Sequence, residues 1–271
     1  MPLTGRVDDT NRFTGFRGYL AYNNPGHRFD GVPTAIVESV LGRAAGVGMG
    51  YSGYWSDFYD ASSELWRITN NRGGTALFGA HITPRGQTQE GGILLIRTTD
   101  VDNDYINGQL KGAGFRYRKG RRMWVFTRLA PQTANDGEIA FGLASATENF
   151  VRGSAINLGA GAIADGIYIA KNETQTRWDL VVRQNGVETR RTQMPATALA
   201  NDVYQEVGFH INKDGSVQFY VDGAEQSTAM VDSSDANIPD DTDLTLSIGL
   251  QTGAVATRDL MADWIVAIQE N

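Results

Sequence analysis

The chain has 271 residues, a net charge of −7 and no cysteine, which excludes disulfides and thiolate metal sites and argues against broad electrostatic binding to nucleic acid. Its 41% hydrophobic and 20% charged residues, with 32 glycines and 7 prolines, are typical of a turn-rich globular protein rather than a disordered one. No stretch approaches the roughly 20 apolar residues that span a bilayer, and the first residues lack a secretory signal. We therefore expect no export and no membrane partner.

The first fifty residues differ from the rest of the chain. Aromatic side chains stand among glycine, asparagine and arginine without the periodicity of a helix or a strand: Phe13, Phe16, Tyr19, Tyr22 and Phe29. Exposed aromatic surface on this scale is unfavourable in water. We predict an extended arm that lies along its own domain or on a partner.

Residues 34–46, TAIVESVLGRAAG, follow helical spacing. The apolar side chains share one stripe: Ile36, Val37, Val40, Leu41 and Ala44. Thr34 can cap the start of a helix and Gly46 can end it. The pattern predicts one short helix, followed by a flexible joint, GVGMGYSG.

From about Tyr51 onward, strand patterns separated by Gly-rich or Asn/Asp-rich turns recur to the end of the sequence. The predicted strands are 65–69, 75–79, 92–98, 114–118, 122–130, 138–144, 166–171, 204–212, 216–223, 243–251 and 259–269, with two more from a hairpin at 176–193. No long helix interrupts them, which argues against a parallel sheet with crossover helices. We predict an all-β fold in which residues 51–271 form a two-sheet antiparallel sandwich, preceded by the arm and helix of residues 1–50.

The hairpin is marked by Asn185-Gly186 between two alternating runs. Both residues readily take the positive φ angles of a type I′ turn, which predicts a two-residue loop. In the strand 204–212, Val207, Phe209 and Ile211 should point to the core. His210 should then lie on a polar face toward solvent or a neighbour.

Charge is distributed unevenly. Seven basic and no acidic residues lie between Tyr105 and Asn135, and five aspartates and no base lie between Val231 and Asp243. These are either two solvated loops or segments that face each other across subunits, where complementary charge fixes the register of association.

The sequence holds no recognised catalytic or metal-binding motif. The histidines, His27, His81 and His210, are far apart, and G-x-S-x-G, P-loop and dinucleotide motifs are lacking. Asp100, Asp102 and Asp104 resemble the start of a calcium loop, but Tyr105 stands where glycine is needed, so an Asp-capped turn is favoured. We expect no metal and no cofactor.

Two carbohydrate-related alternatives stay open. In jelly-roll glucanases the catalytic pair of carboxylates projects from one strand with the pattern E-x-D-x-x-E, whereas GEIAFGLA supplies only one of the three acids, Glu138. We therefore predict that the chain is not an enzyme. A lectin-like glycan site would use exposed tryptophans, but all five tryptophans lie in or beside strand patterns, which favours core positions.

The order of segments after residue 50 resembles the concanavalin A-like jelly-roll domains of tailed-bacteriophage virion proteins. The resemblance is carried by the D-N-D turn at 102–104, F-G-L-A at 141–144, F-Y-V-D-G at 219–223, N-I-P-D-D at 237–241 and D-W-I at 263–265. None of these is a catalytic signature. Residues 1 to about 45 lie outside the resemblance.

The resemblance implies a virion structural protein, such as a capsid decoration or cement protein, made in the host cytoplasm and located on the capsid surface. Its expected partners are the major capsid protein and neighbouring copies of itself, with a trimer as one natural arrangement, and its alternative role is a virion module that binds host-surface glycans. The candidate partner-binding residues are Phe13, Phe16, Arg17, Tyr19 and Tyr22 in the arm, Arg116, Arg118, Arg121 and Arg122 in the basic segment, and Asp240 and Asp241 in the acidic segment.

Overall fold

The computed structural model describes residues 51–56, 58, 65–80, 93–112, 114–146, 163–192, 198–226 and 230–270, with the backbone alone at 51, 52, 55 and 77–80. The predicted arm and the predicted helix at 34–46 lie outside these residues. None of the described segments is a helix that could cross a membrane.

Fifteen strands are described. The first eight are β1 (Tyr51–Ser56), β2 (Trp66–Asn70), β3 (Thr75–Ala80), β4 (Ile93–Arg97), β5 (Tyr105–Leu110), β6 (Met123–Pro131), β7 (Glu138–Ala144) and β8 (Gly166–Lys171). The others are β9 (Asp179–Gln184), β10 (Val187–Arg191), β11 (Gln205–Ile211), β12 (Val217–Val221), β13 (Ala224–Glu225), β14 (Thr245–Gln251) and β15 (Asp259–Glu270).

These strands form two antiparallel sheets. Sheet A has the order β13-β12-β11-β6-β15-β4-β3, and β1 pairs with β15 beyond the end of β4. Sheet B has the order β10-β9-β8-β7-β14-β5-β2. The two-sheet jelly-roll sandwich predicted from the sequence is therefore confirmed.

Alternate residues of both sheets fill the space between them. Val207, Phe209 and Ile211 of β11 are fully buried there, as predicted, and Ile139 and Phe141 of β7 face them from sheet B. Each such side chain contributes roughly 1.5–3 kcal/mol on removal from water. The core thus forms from the strand alternation that the sequence displays.

The predicted hairpin is β9–β10. Asn185 (φ 50°) and Gly186 (φ 79°) both have positive φ, and Gln184 pairs with Val187. The Asp165 carboxylate accepts the Asn185 amide at 2.8 Å, which ties this turn to the start of β8. The type I′ assignment is confirmed.

Three strands, β1, β5 and the two-residue β13, were not predicted, and one prediction was wrong. β1 was interpreted as part of a flexible joint, and β5 was missed because its sequence, YINGQL, mixes polar residues and glycine. The predicted strand 114–118 is only an isolated bridge between Phe115 and Leu244, since the chain turns at residues 118–121 instead of extending a ladder.

Gly142, in the middle of β7, lies where a side chain cannot fit. Its φ is 150°, and a Cβ atom would stand 2.6 Å from the carbonyl oxygen of Ile167 and from the Cα of Tyr168. Both contacts are backbone atoms of β8, so neither can move without breaking the pairing of the two strands.

We expect Gly142→Ala to lower the free energy of unfolding by about 3 kcal/mol, because steric strain and an unfavourable φ add together. Urea denaturation would measure this loss. Gly114→Ala is the matched control, since nothing lies within 4 Å of its added Cβ. Equal stability of the two variants would contradict the prediction.

Candidate functional site

The basic and acidic segments meet within a single chain. Phe115 and Leu244 exchange two backbone hydrogen bonds, at 3.1 and 2.7 Å. Arg116 donates to the carbonyl oxygen of Asp241 at 2.9 Å, and its guanidinium lies 3.8 Å from the Asp243 carboxylate. The sequence left open whether these segments are separate solvated loops or face each other across subunits. They meet inside one chain, because a β-bridge holds them side by side.

A tight basic turn projects beside this bridge. Arg121 N donates to the Arg118 carbonyl at 3.0 Å, and Gly120 N donates to the carbonyl of Lys213 at 2.8 Å. The side chains of Arg118, Lys119 and Arg121 are exposed, and none forms an ion pair with a described residue. The positive charge of this turn therefore lies on the exposed surface of the described residues.

The acidic loop, residues 231–243, is shaped by its own side chains. Asp232 accepts the Ser234 amide at 2.9 Å, and this hydrogen bond lowers the pKa of its carboxyl group. Asp240 and Asp241 are exposed and accept from the Gln184 amide at 3.2 and 3.4 Å. Both lie next to the segment that carries the basic turn, since Arg116 donates to the Asp241 carbonyl.

We call this surface the mixed-charge end and define it by Arg116, Arg118, Lys119, Arg121, Asp240, Asp241 and Asp243. Tyr117, the neighbour of Arg116 and Arg118, is buried. Burial raises the pKa of its hydroxyl, and the charges of Asp214 and Asp240 raise that pKa further. The Phe115–Leu244 bridge and the hydrogen bond from Arg116 to Asp241 place the basic turn and the acidic loop on the same part of the surface.

Arg122, another candidate for partner binding, makes its contacts within the sandwich. Its guanidinium donates to both carboxylate oxygens of Glu270, at 3.3 and 3.1 Å, and lies 5.2 Å from the centre of the Trp124 ring. The hydrogen bond to Arg122 lowers the pKa of Glu270. Arg122 thus ties β15 to β6.

The arm candidates Phe13, Phe16, Arg17, Tyr19 and Tyr22 lie outside the described residues.

The outer face of sheet A, which points away from the core, is apolar and buried. Ten of its side chains are at most 8% exposed: Ile93, Leu95, Trp124, Phe126, His210, Tyr220, Met261, Trp264, Val266 and Ile268. Glu206 and His210 on this side of β11 are polar, as expected, but in this structure they are buried and do not face solvent. The neighbouring strands β6 and β15 carry apolar side chains on both faces. The exposure of this face could therefore not be judged from the alternation of β11 alone.

His210 is embedded in this face. Its ring stacks on Trp124 with centroids 5.0 Å apart and planes 6° apart. Burial lowers the pKa of His210 to about 4, and the nearby Arg122 charge acts in the same direction. The imidazole is therefore neutral at physiological pH.

The outer face of sheet B carries a buried ionic network that sequence reasoning missed. Arg190 lies 3.3 Å from the Asp179 carboxylate and 3.2 Å from Glu188, and Arg183 lies 3.2 Å from the other oxygen of Glu188. Burial raises the pKa of Tyr168, which is hydrogen-bonded to Arg183. The sequence signal was that the charged residues of the hairpin strands include four that fall on one face: Asp179, Arg183, Glu188 and Arg190.

Small and polar residues occupy the centre of the same face. Gln109 donates to the Ser247 hydroxyl at 2.8 Å, and Asn107 stands beside them on β5. Both amides are at most 4% exposed. Such groups can hydrogen-bond sugar hydroxyls when a sugar reaches them.

Glu138 stands at the start of β7 on this face and is 3% exposed. The next residues of β7 on the same side are Ala140 and Gly142, so β7 supplies no second carboxylate. Lys171 lies near Glu138, donates to the Gly137 carbonyl at 2.5 Å and has its pKa lowered by burial to about 8.

The described residues contain no group of three or more side chains arranged to hold a metal ion. Asp104 is fully buried and accepts from the Thr99 amide and hydroxyl at 2.5 and 2.8 Å, while Asp100 and Asp102 are exposed. This arrangement is the Asp-capped turn favoured from the sequence.

Comparison with known proteins agrees with this architecture. Neither a protein-family model nor a curated protein sequence matches the chain. Among solved structures, an endo-1,3-β-glucanase from Streptomyces sioyaensis has a TM-score of 0.53 at 13% identity, covering 82% of this chain and 97% of the enzyme. An endo-β-1,4-glucuronan lyase from Trichoderma reesei gives 0.53 at 14% identity, covering 79% and 94%. Peanut lectin gives 0.53 at 9% identity, covering 82% and 97%.

These similarities define the fold as a concanavalin A-like jelly roll. They also correct one prediction. The expectation that this chain is not an enzyme is contradicted, because the glucanase and the lyase are enzymes built on the same fold. The missing E-x-D-x-x-E pattern excludes one arrangement of carboxylates, whereas one fold supports several chemistries.

The buried neutral His210 should make stability depend on pH. Its pKa falls from 6.5 to about 4 on folding, so the unfolded chain binds the extra proton between these values. Stability is complete above the unfolded pKa and is lost as pH falls through this window, by up to about 3 kcal/mol.

Urea denaturation of the wild type and His210→Gln across this window would measure the effect. We expect the wild type to lose more stability on acidification than the variant, because the carboxylates that titrate nearby are common to both. Parallel losses would contradict the burial of a neutral imidazole.

Proposed function

We propose that this chain is a structural protein of a phage particle, a capsid decoration protein that binds the major capsid protein and neighbouring copies of itself. The proposal is supported by the resemblance of its segment order to virion jelly-roll domains. Its proposed location is the capsid surface, after synthesis in the host cytoplasm. The sandwich needs no disulfide, so it can fold in a reducing compartment.

The observation that carries the proposal is the mixed-charge end. Arg118, Lys119 and Arg121 are exposed next to the exposed Asp240 and Asp241, on loops held by the Phe115–Leu244 bridge. A surface with both signs of charge fits a protein surface of complementary pattern, whereas nucleic acid or an anionic membrane requires positive charge alone.

The energetics of this surface fit a repeated lattice. A single exposed ion pair contributes only about 0–1 kcal/mol. Contacts of this size become strong when one particle presents them many times, because linked weak contacts add through avidity. The same patch can also meet its own copy on a neighbouring subunit.

The direct test is the protein composition of the phage particle. Gel densitometry and mass spectrometry of purified virions that encode this chain should find it in a fixed ratio to the major capsid protein. Its absence from particles, or only trace amounts, would overturn the proposal.

Charge reversal should test the surface itself. We expect Arg118→Glu/Arg121→Glu to weaken binding to undecorated particles at least about tenfold, because like charges then face each other. Co-sedimentation with particles would measure binding. The matched control is Arg72→Glu/Arg177→Glu, which changes two exposed arginines on turns away from the mixed-charge end. Equal binding by both double variants would rule out this surface.

A carbohydrate-binding module of a virion is the second candidate. It is favoured by the amides and hydroxyls of Asn107, Gln109 and Ser247 on sheet B and by the shared fold with a lectin. The burial of these groups places it second, since a sugar would first have to reach them. A glycan array should then show binding that Gln109→Leu abolishes, and no binding on the array would end this alternative.

A further inference from the structure

We propose that residues 34–46 form an amphipathic helix that packs on the outer face of sheet A of the same chain and anchors the N-terminal segment to the sandwich. The occupant is a named segment of this chain, and its binding surface is defined by Trp124, Phe126, Trp264, Val266 and Ile268. This anchoring does not depend on the proposed role in a phage particle.

The first argument is that the face is covered. Trp124 and Val266 are 0% exposed and Trp264 is 2% exposed, although their strand registers place them opposite the core. All fifteen described strands belong to the two sheets, so no described strand lies over this face. Described side chains cover only part of it: Arg122 lies over the Trp124 ring, and Tyr204 packs against Ile93, Leu95 and Met261.

The second argument is the pattern of residues 34–46. At 100° per residue, Ile36, Val37, Val40, Leu41 and Ala44 occupy an arc of about 140°, and Glu38, Ser39 and Arg43 occupy the other side. A stripe of this width needs a large apolar surface to pack against. An apolar sheet face flanked by charged strand ends supplies one.

The third argument is that the connection to β1 lets a helix of residues 34–46 reach this face. β1 begins at Tyr51 opposite Glu270, and the five residues from Gly46 to Tyr51 span at most about 17 Å. From Glu270 the outward side chains of β15 run through Ile268 and Val266 to Trp264, a distance of about 20 Å. A helix of residues 34–46 is also about 20 Å long. It can therefore lie along β15 without leaving its own sandwich.

The short connection also favours residues 34–46 over a separate molecule as the occupant of the outer face of sheet A. A segment tethered by a few residues has an effective concentration in the millimolar range. A second copy or a capsid protein would have to compete with it. We therefore assign the face to the same chain, and we expect the aromatic residues of the arm to continue beyond this anchor.

Tryptophan fluorescence provides the test, because Trp124 and Trp264 lie on this face while Trp66 and Trp178 lie in the core. The test variant is Val40→Asp, which places a charge on the stripe. The matched control is Ser39→Asp, which places the same charge on the opposite side. Full-length protein is used throughout, with far-ultraviolet circular dichroism to confirm folding.

We expect Val40→Asp to shift the emission to longer wavelength and to increase quenching by acrylamide, whereas Ser39→Asp leaves both unchanged. In a Trp124→Phe/Trp264→Phe background the shift should shrink. Sedimentation should show the same oligomeric state for the wild type and Val40→Asp.

Three results would overturn the inference. Identical emission of the two aspartate variants would show that the stripe does not cover the face. Unchanged burial of Trp124 and Trp264 after removal of residues 1–50 would show the same. Dissociation of an oligomer by Val40→Asp would assign the face to a second copy. All three are read without particles, so they are independent of the particle-binding test.

Discussion

The architecture depends on the burial of β15 on both of its faces. Its inward residues, such as Ile265 and Ala267, close the core against sheet B, and its outward residues, such as Trp264 and Val266, belong to a second apolar layer. A sheet with two buried faces is solvated on neither side. The proposed packing of residues 34–46 on the outer face of sheet A follows from this constraint.

Much of the fold could be predicted from local patterns. β7, β8 and the Asn185-Gly186 turn were recognised at their observed positions because alternation and turn chemistry act over a few residues. β5 was missed because Asn107 and Gln109 face a buried polar layer, which breaks the usual contrast of apolar and polar positions. The outer face of sheet A was misjudged for the opposite reason, since His210 is polar yet packs against Trp124.

The candidate site shows a different limit of sequence reasoning. The clusters of arginine and aspartate were visible as composition, but their meeting depends on the Phe115–Leu244 bridge, which joins residues 129 positions apart. Nothing in either segment specifies that pairing. Likewise, Arg122 looked equivalent to Arg121, and only the position of Glu270 on β15 separates a structural arginine from an exposed one.

The position of β15 in sheet A also has a consequence for synthesis. This strand lies between β6 on one side and β4 and β1 on the other, yet the ribosome makes it after every other described strand. Until then β6 and β4 present open edges, which are templates for pairing with other chains. A nascent or truncated chain would therefore aggregate more readily than the finished protein. The need for chaperones should be highest just before β15 emerges.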